Sequence, residues 1–144
     1  MGPEGRVLVI DDEPTIRALV AKIVERAGLP VDSARDGAEA IELLMAHEYA
    51  VVVVDLMMPN VNGYEVIDYL KRRRSERPAV IVVSAGEPGA LRQLDATMVH
   101  SIIRKPFDID ALGDLINAAA LSVAGKARSA HRGDVLPFRR DPVC

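Results

Sequence analysis

Residues 50–63 read Ala50-Val51-Val52-Val53-Val54-Asp55-Leu56-Met57-Met58-Pro59-Asn60-Val61-Asn62-Gly63. Small and β-branched apolar residues run without interruption into one acid. Such a run fits a strand buried on both faces, as in a parallel sheet with helices packed on each side. Asp55 then sits at the carboxyl end of that strand, where open α/β sheets build their sites. Met57, Met58 and Pro59 follow, and the stretch ends in Asn62-Gly63.

Working outward, four more apolar runs have strand character, over residues 6–10, 31–34, 79–83 and 101–103. Helical spacing separates them. The first helix begins at Pro14, since proline is tolerated in a first helical turn. It carries Ile16, Leu19, Val20, Ile23 and Val24, and Gly28 offers a left-handed stop. Asp36-Gly37 leads into a second helix with Ala38, Ile41, Leu44 and Met45 inward. Asn62 caps a third helix, with Tyr64, Ile67 and Leu70 on its apolar face. A poor fourth helix is expected around residues 88–96. Asp108 caps a fifth, with Ile109, Leu112, Leu115, Ile116 and Ala119 inward. Five strands alternating with five helices predict a parallel sheet, helices on both faces and right-handed crossovers.

The 144 residues suit one domain with an aliphatic core, since there is no tryptophan and only five Phe or Tyr residues. A net charge of −3 does not favour nucleic acid or a membrane surface as the main partner. One cysteine, Cys144, excludes a disulfide or a cysteine metal site within one chain. No apolar run is long enough to span a membrane. Met1 to Arg6 lack the apolar core of a signal peptide, so a cytoplasmic location is expected. The periodicity stops after residue 124, and residues 125–144, with five basic and two acidic side chains, read as a flexible basic tail or linker. The folded unit is expected over residues 5–124.

All strands of a parallel sheet end on one edge. The topology therefore gathers Asp11 and Asp12 after strand one, Asp55 after strand three, Ser84 after strand four and Lys105 after strand five. Carboxylates about 4 Å apart at an effective dielectric near 20 repel by about 4 kcal/mol per pair. They stay ionised at neutral pH only beside a cation. A hard divalent ion with oxygen ligands answers that need, and Mg²⁺ combines a few carboxylates with phosphate and water. A carboxylate beside Mg²⁺ can attack phosphorus and form an aspartyl phosphate. Mg²⁺ and Lys105 would neutralise the transferred oxygens, and Ser84 would hydrogen-bond one of them. Taken singly, each residue has an ordinary reading. Asp12 or Glu13 suits a helix N-terminus, Asp55 suits a turn, Ser84 a cap and Lys105 a solvated surface. Four strand ends delivering complementary groups to one rim favour the joint reading. His47, His100 and His131 share no metal-ligand spacing, and the cations Lys71 to Arg74 suit a helix C-terminus.

Asp11-Asp12, Asp55-Leu56-Met57-Met58-Pro59 with Asn62-Gly63, Ser84-Ala85 and Lys105-Pro106-Phe107, in this order and spacing, resemble the receiver domain of bacterial two-component response regulators. The resemblance is to a stand-alone single domain of the chemotaxis-regulator kind and covers residues 5–124. It implies a flavodoxin-like three-layer sandwich with sheet order 2-1-3-4-5. It implies that Asp55 is the phosphoacceptor, charged by a histidine kinase or a histidine phosphotransfer protein. Asp12 would bind Mg²⁺ directly and Asp11 largely through water, and Met57 would add its backbone carbonyl. Ser84 would be the switch hydroxyl and Lys105 the phosphate contact. The Lys105–Pro106 bond would be cis. Phosphorylation would switch the face of the fourth helix, fifth strand and fifth helix toward a downstream protein or a phosphorylation-dependent homodimer. Direct nucleic-acid binding is not expected. Such a chain is a signalling module whose only chemistry is self-phosphorylation and autodephosphorylation. Three positions differ from the family pattern: Ile102 stands where a switch aromatic falls, Met98-Val99-His100 replaces a Gly-Ala pair, and Gly86 lies two residues after Ser84.

Other functions fit less well. A haloacid-dehalogenase-type phosphatase needs a second acid two residues after its nucleophile, and Met57 is there. A nucleotide-binding domain needs a glycine-rich turn after strand one, where Asp11-Asp12-Glu13-Pro14 stands instead. A degenerate receiver serving as a phosphorylation-independent docking scaffold is the remaining alternative.

Overall fold

The computed structural model describes residues 5–58, 62–73, 77–85, 92 and 94–135, with side chains described as far as residue 123. Five strands, β1 (Val7–Ile10), β2 (Val31–Ala34), β3 (Val51–Asp55), β4 (Ala79–Ser84) and β5 (Ser101–Arg104), form one sheet of order β2-β1-β3-β4-β5. All four pairings are parallel. Four α-helices accompany them among the described residues: α1 (Pro14–Arg26), α2 (Gly37–Ala46), α3 (Gly63–Arg72) and α4 (Ile109–Val135). This is the expected flavodoxin-like order. Most of the expected fourth helix, around residues 88–96, lies outside the described residues. Its described end is a short 3-10 turn, Ala96–Met98. The expected fifth helix is α4.

The valine run works because strand side chains alternate. Val52 and Val54 join Leu8, Ile10, Val80 and Val82 in a core shared with α2 and α3 residues such as Leu44, Val66 and Leu70. Val51 and Val53 join Val7, Val9, Ile81 and Val83 on the other side, against Val20, Ile23 and Val24 of α1 and Leu112, Ile116 and Ala119 of α4. Neither face of β3 is wet, so no polar residue interrupts it. β2 is an edge strand, and Ala34 is its only buried residue.

The helix signals operate as read. Pro14 opens α1, and Gly28 follows its end at φ 85°, in the left-handed region that disfavours a side chain. Asp36 caps α2 by accepting the Glu39 N–H at 2.9 Å. Asn62 and Glu65 form a reciprocal capping box on α3. Asp108 accepts the Asp110 N–H at 2.8 Å, at the start of α4. Three inward expectations fail. Ala38 is exposed in the first turn of α2, off the stripe of Gly37, Ala40 and Leu44. Met45 is 71% exposed, because the buried stripe of α2 runs through Ala40 and Leu44 and Met45 lies one step round the helix. Ile109 is exposed as the first residue of α4. The α4 backbone also continues past residue 124 to Val135. Hydrophobic periodicity reports burial, whereas Ala, Lys and Arg favour helix without it. No helix among the described residues is long and apolar enough to cross a membrane.

At the amino edge of the sheet, Asp32 of β2 accepts the Tyr49 hydroxyl at 2.7 Å and pairs with Arg6 at 3.2 Å. Burial and then the Asp32 hydrogen bond push the Tyr49 hydroxyl above its ordinary pKa. Tyr49→Phe is expected to cost about 1 kcal/mol, the typical net worth of one such hydrogen bond. Urea midpoints of the two proteins check this.

Candidate functional site

The register of the sheet brings the site together. Asp11 follows the last residue of β1, Asp55 ends β3 and Ser84 ends β4. Ser84 is level with Arg104 on β5, so Lys105 steps onto the same rim, its N–H donating to the Ser84 carbonyl at 2.8 Å. Asp11, Asp55 and Ser84 are the buried polar side chains among the described residues. Asp12 is exposed beside them.

Asp11, Asp12 and Asp55 each offer a carboxylate oxygen, all within 4.8 Å of one another. The Lys105 ammonium lies 3.4 Å from Asp11 Oδ2 and 3.4 Å from Asp55 Oδ2. The remaining oxygens are held by backbone. Glu13 N–H donates to Asp11 Oδ1 at 3.0 Å, and Met57 N–H to Asp55 Oδ1 at 3.1 Å. Each carboxylate is thus oriented from two sides. Lys105–Pro106 is cis.

The electrostatics are opposed. Burial raises the Asp55 pKa most, and the Asp11 charge adds to this, while the Met57 N–H and Lys105 pull it down; the net direction is upward. Burial alone would lower Lys105, but Asp55 and Asp11 outweigh it and raise its pKa. One ammonium among three carboxylates leaves local negative charge. Three convergent hard oxygens, two of them on buried side chains, fit a hard divalent cation.

All five side chains singled out by the sequence reach this rim, together with Met57, which is 52% exposed beside Asp55. Lys71 and Arg72 of the basic run do not. Lys71 pairs with Asp95 at 2.8 Å and Arg72 with Asp68 at 3.5 Å. His47 stacks edge-on against Tyr49, and His100 Nδ1 is 2.7 Å from Ser101 Oγ. Ile102, in place of the aromatic, is 47% exposed on β5.

Two residues of the site were not read from the sequence. Arg17 donates through Nη1 to the Asp11 carbonyl at 2.9 Å. Gly63, which the sequence places in the motif without a role of its own, donates its N–H to the Leu56 carbonyl at 3.1 Å. A Cβ there would lie 2.5 Å from the Asp55 carbonyl oxygen. A glycine at the first position of a capped helix was the available signal.

Comparison with known proteins agrees with this geometry. The transcriptional regulatory protein TcrA of Mycobacterium tuberculosis is 33% identical over 108 residues, covering 74% of this chain and 42% of TcrA. The response regulator Rre1 of Synechocystis is 34% identical over 113 residues, covering 76% of this chain and 49% of Rre1. The chain therefore spans less than half the length of these curated relatives. Among solved structures, the response regulator TrrA of Thermotoga maritima, in complex with Mg²⁺-BeF, superposes with a TM-score of 0.71 at 27% identity, covering 81% of this chain and 99% of TrrA. The family model described as the response regulator receiver domain matches residues 7–117. That match spans all five strands and every residue of the acidic rim, and the chain belongs to the receiver domains of two-component response regulators.

Proposed function

We propose that Asp55 accepts a phosphoryl group from the phosphohistidine of a histidine kinase or a histidine phosphotransfer protein, with Mg²⁺, and that the chain then signals to a protein partner. The observation that carries this reading is the convergence of Asp11, Asp12 and Asp55 within 4.8 Å, with Lys105 between Asp11 and Asp55. Asp12, Asp11, Asp55 and the Met57 carbonyl would hold the ion. When bound, Mg²⁺ supplies the positive charge that lets acids and phosphoryl oxygens approach.

The protein's own groups do the rest. An Asp55 carboxylate oxygen forms the new P–O bond as the donor's P–N bond breaks, and the imidazole nitrogen keeps that electron pair. The Met57 N–H holds the carboxylate in its attacking orientation. Lys105 balances charge on the transferred oxygens, and the buried Ser84 hydroxyl donates to one of them. The chain is then a signalling module and not a metabolic enzyme, acting in the cytoplasm with residues 5–124 as its folded unit. Its output runs through the face of β5 and α4. Exposed Ile102 and Arg104 give that face an aliphatic and cationic surface in place of an aromatic switch, for a downstream protein or a second copy.

Intact mass after incubation with acetyl phosphate, with and without Mg²⁺, tests the reading. The expected result is a Mg²⁺-dependent phosphoryl adduct that Asp55→Asn lacks. If no adduct forms, and the stable mimic beryllofluoride does not bind either, the chain is a phosphorylation-independent docking scaffold.

A further inference from the structure

We propose that Arg17 is a positioning residue for the acid cluster, locking the β1–α1 loop so that Asp11 faces Asp55. The inference rests on reading that cluster as the metal and phosphoryl site. Arg17 lies in the first turns of α1, its N–H closing the helix onto the Glu13 carbonyl at 2.9 Å. Its guanidinium reaches back over the loop and donates to the Asp11 carbonyl at 2.9 Å. The side chain is half-buried, and among the described residues it makes no ion pair. Its hydrogen-bond acceptor is a neutral backbone oxygen, where an arginine on a helix surface would ordinarily reach a carboxylate or water.

The loop it crosses carries the cluster's orientation. Asp11 N–H donates to the Ala34 carbonyl at 3.2 Å, which fixes where β1 ends. Beyond that point, Asp11 Oδ1 depends on the Glu13 N–H and Oδ2 on Lys105. The Glu13 side chain gives α1 no cap, so no side-chain cap ties the peptides of residues 12 and 13 to the helix. Arg17 is the side chain that joins the helix to the peptide of Asp11. Because a guanidinium is always charged and its donors are rigid, this clamp holds at every pH at which the domain folds. Residues that orient metal ligands without touching the metal typically change affinity about 10- to 100-fold when removed.

The test uses Arg17→Ala and Arg17→Gln in the full chain. In metal-free protein, hydrogen exchange of the Glu13 amide is expected to accelerate about 10-fold in Arg17→Ala, in line with the loss of one charge-assisted hydrogen bond. Arg17→Gln, which keeps a donor without the charge, should recover part of the protection. Calorimetric Mg²⁺ titration should show about 10-fold weaker binding in Arg17→Ala, with the phosphorylation rate recovering at saturating Mg²⁺. A merely structural role would instead lower the urea midpoint and leave the apparent Mg²⁺ dependence unchanged, and that outcome overturns the proposal. Unchanged Glu13 exchange in Arg17→Ala overturns it as well. If the parent protein binds no Mg²⁺, the phosphoacceptor reading fails, while the exchange measurement still decides whether Arg17 holds the loop.

Discussion

Gly63→Ala is expected to destabilise the domain by about 3 kcal/mol, the upper end of the usual cost of overpacking, and to displace Asp55. The demand at this position is spatial. Its φ is not in the left-handed region, unlike those of Gly5 and Gly28. An added Cβ would lie 2.5 Å from the Asp55 carbonyl oxygen and 2.7 Å from Leu56 Cα. Both are backbone atoms at the end of a central strand, so no side chain can rotate out of the way. Relief requires α3 to back away, breaking the Gly63 N–H bond to Leu56, or the end of β3 to shift and carry Asp55 off Lys105. Gly113→Ala is the natural control. Its Cβ would meet Ile23 Cγ2 at 3.6 Å, an ordinary contact. Inside a helix, alanine in place of glycine should gain about 0.5–1 kcal/mol. Urea denaturation of both variants, with Mg²⁺-dependent phosphorylation of Gly63→Ala, separates the two. A Gly63→Ala protein with the parent's stability and activity would show that the contact between α3 and β3 yields freely.

Lys105→Met is expected to cost about 2 kcal/mol at pH 7, and most of that deficit should vanish on acidification. Removing one partner of a fully buried pair typically costs about 3–5 kcal/mol. Lys105 retains 23% side-chain exposure, so solvent screens part of that loss. Methionine keeps most of the volume, so packing changes little. What remains is Asp11 facing Asp55 with no ammonium between them. The sign follows from Asp55. Its folded pKa lies above the ordinary 3.8, with burial as the chief cause. A carboxyl raised in the folded state contributes stability that is present below its unfolded value and is lost as pH rises through the folded one. Without Lys105 the folded value rises further, so the loss at neutral pH deepens while nothing changes once Asp55 is protonated in both states. Lys105→Met should therefore approach the parent near pH 4, and Asp55→Asn in the Lys105→Met background should restore stability at pH 7. Urea midpoints from pH 4 to 8 decide this. A deficit independent of pH would assign the loss to packing.

The sequence by itself determined the element order, the two-sided burial of β3 and the set of groups at the rim. Each depends on local signals: the unbroken apolar run Val51–Val54, caps at Asp36, Asn62 and Asp108, and acids placed directly after apolar runs. Parallel pairing then forces every strand's carboxyl end onto one edge, so Asp11, Asp55, Ser84 and Lys105 could be grouped before any distance was known. Where a face turns by one helical step, as at Met45, or a helical backbone runs on past the last apolar repeat, as in α4 beyond residue 124, periodicity has no information to give. The tertiary structure decided the rest. Arg17 on Asp11 and Gly63 under Asp55 depend on how α1 and α3 seat against the ends of β1 and β3, and that seating is set by packing across the whole sheet. Lys105 lies equally close to two carboxylates that stand 94 and 50 positions away in the chain (105 − 11 and 105 − 55). Local sequence encodes which groups arrive, whereas close packing of the helices on the sheet sets the tenths of an ångström that make them act together.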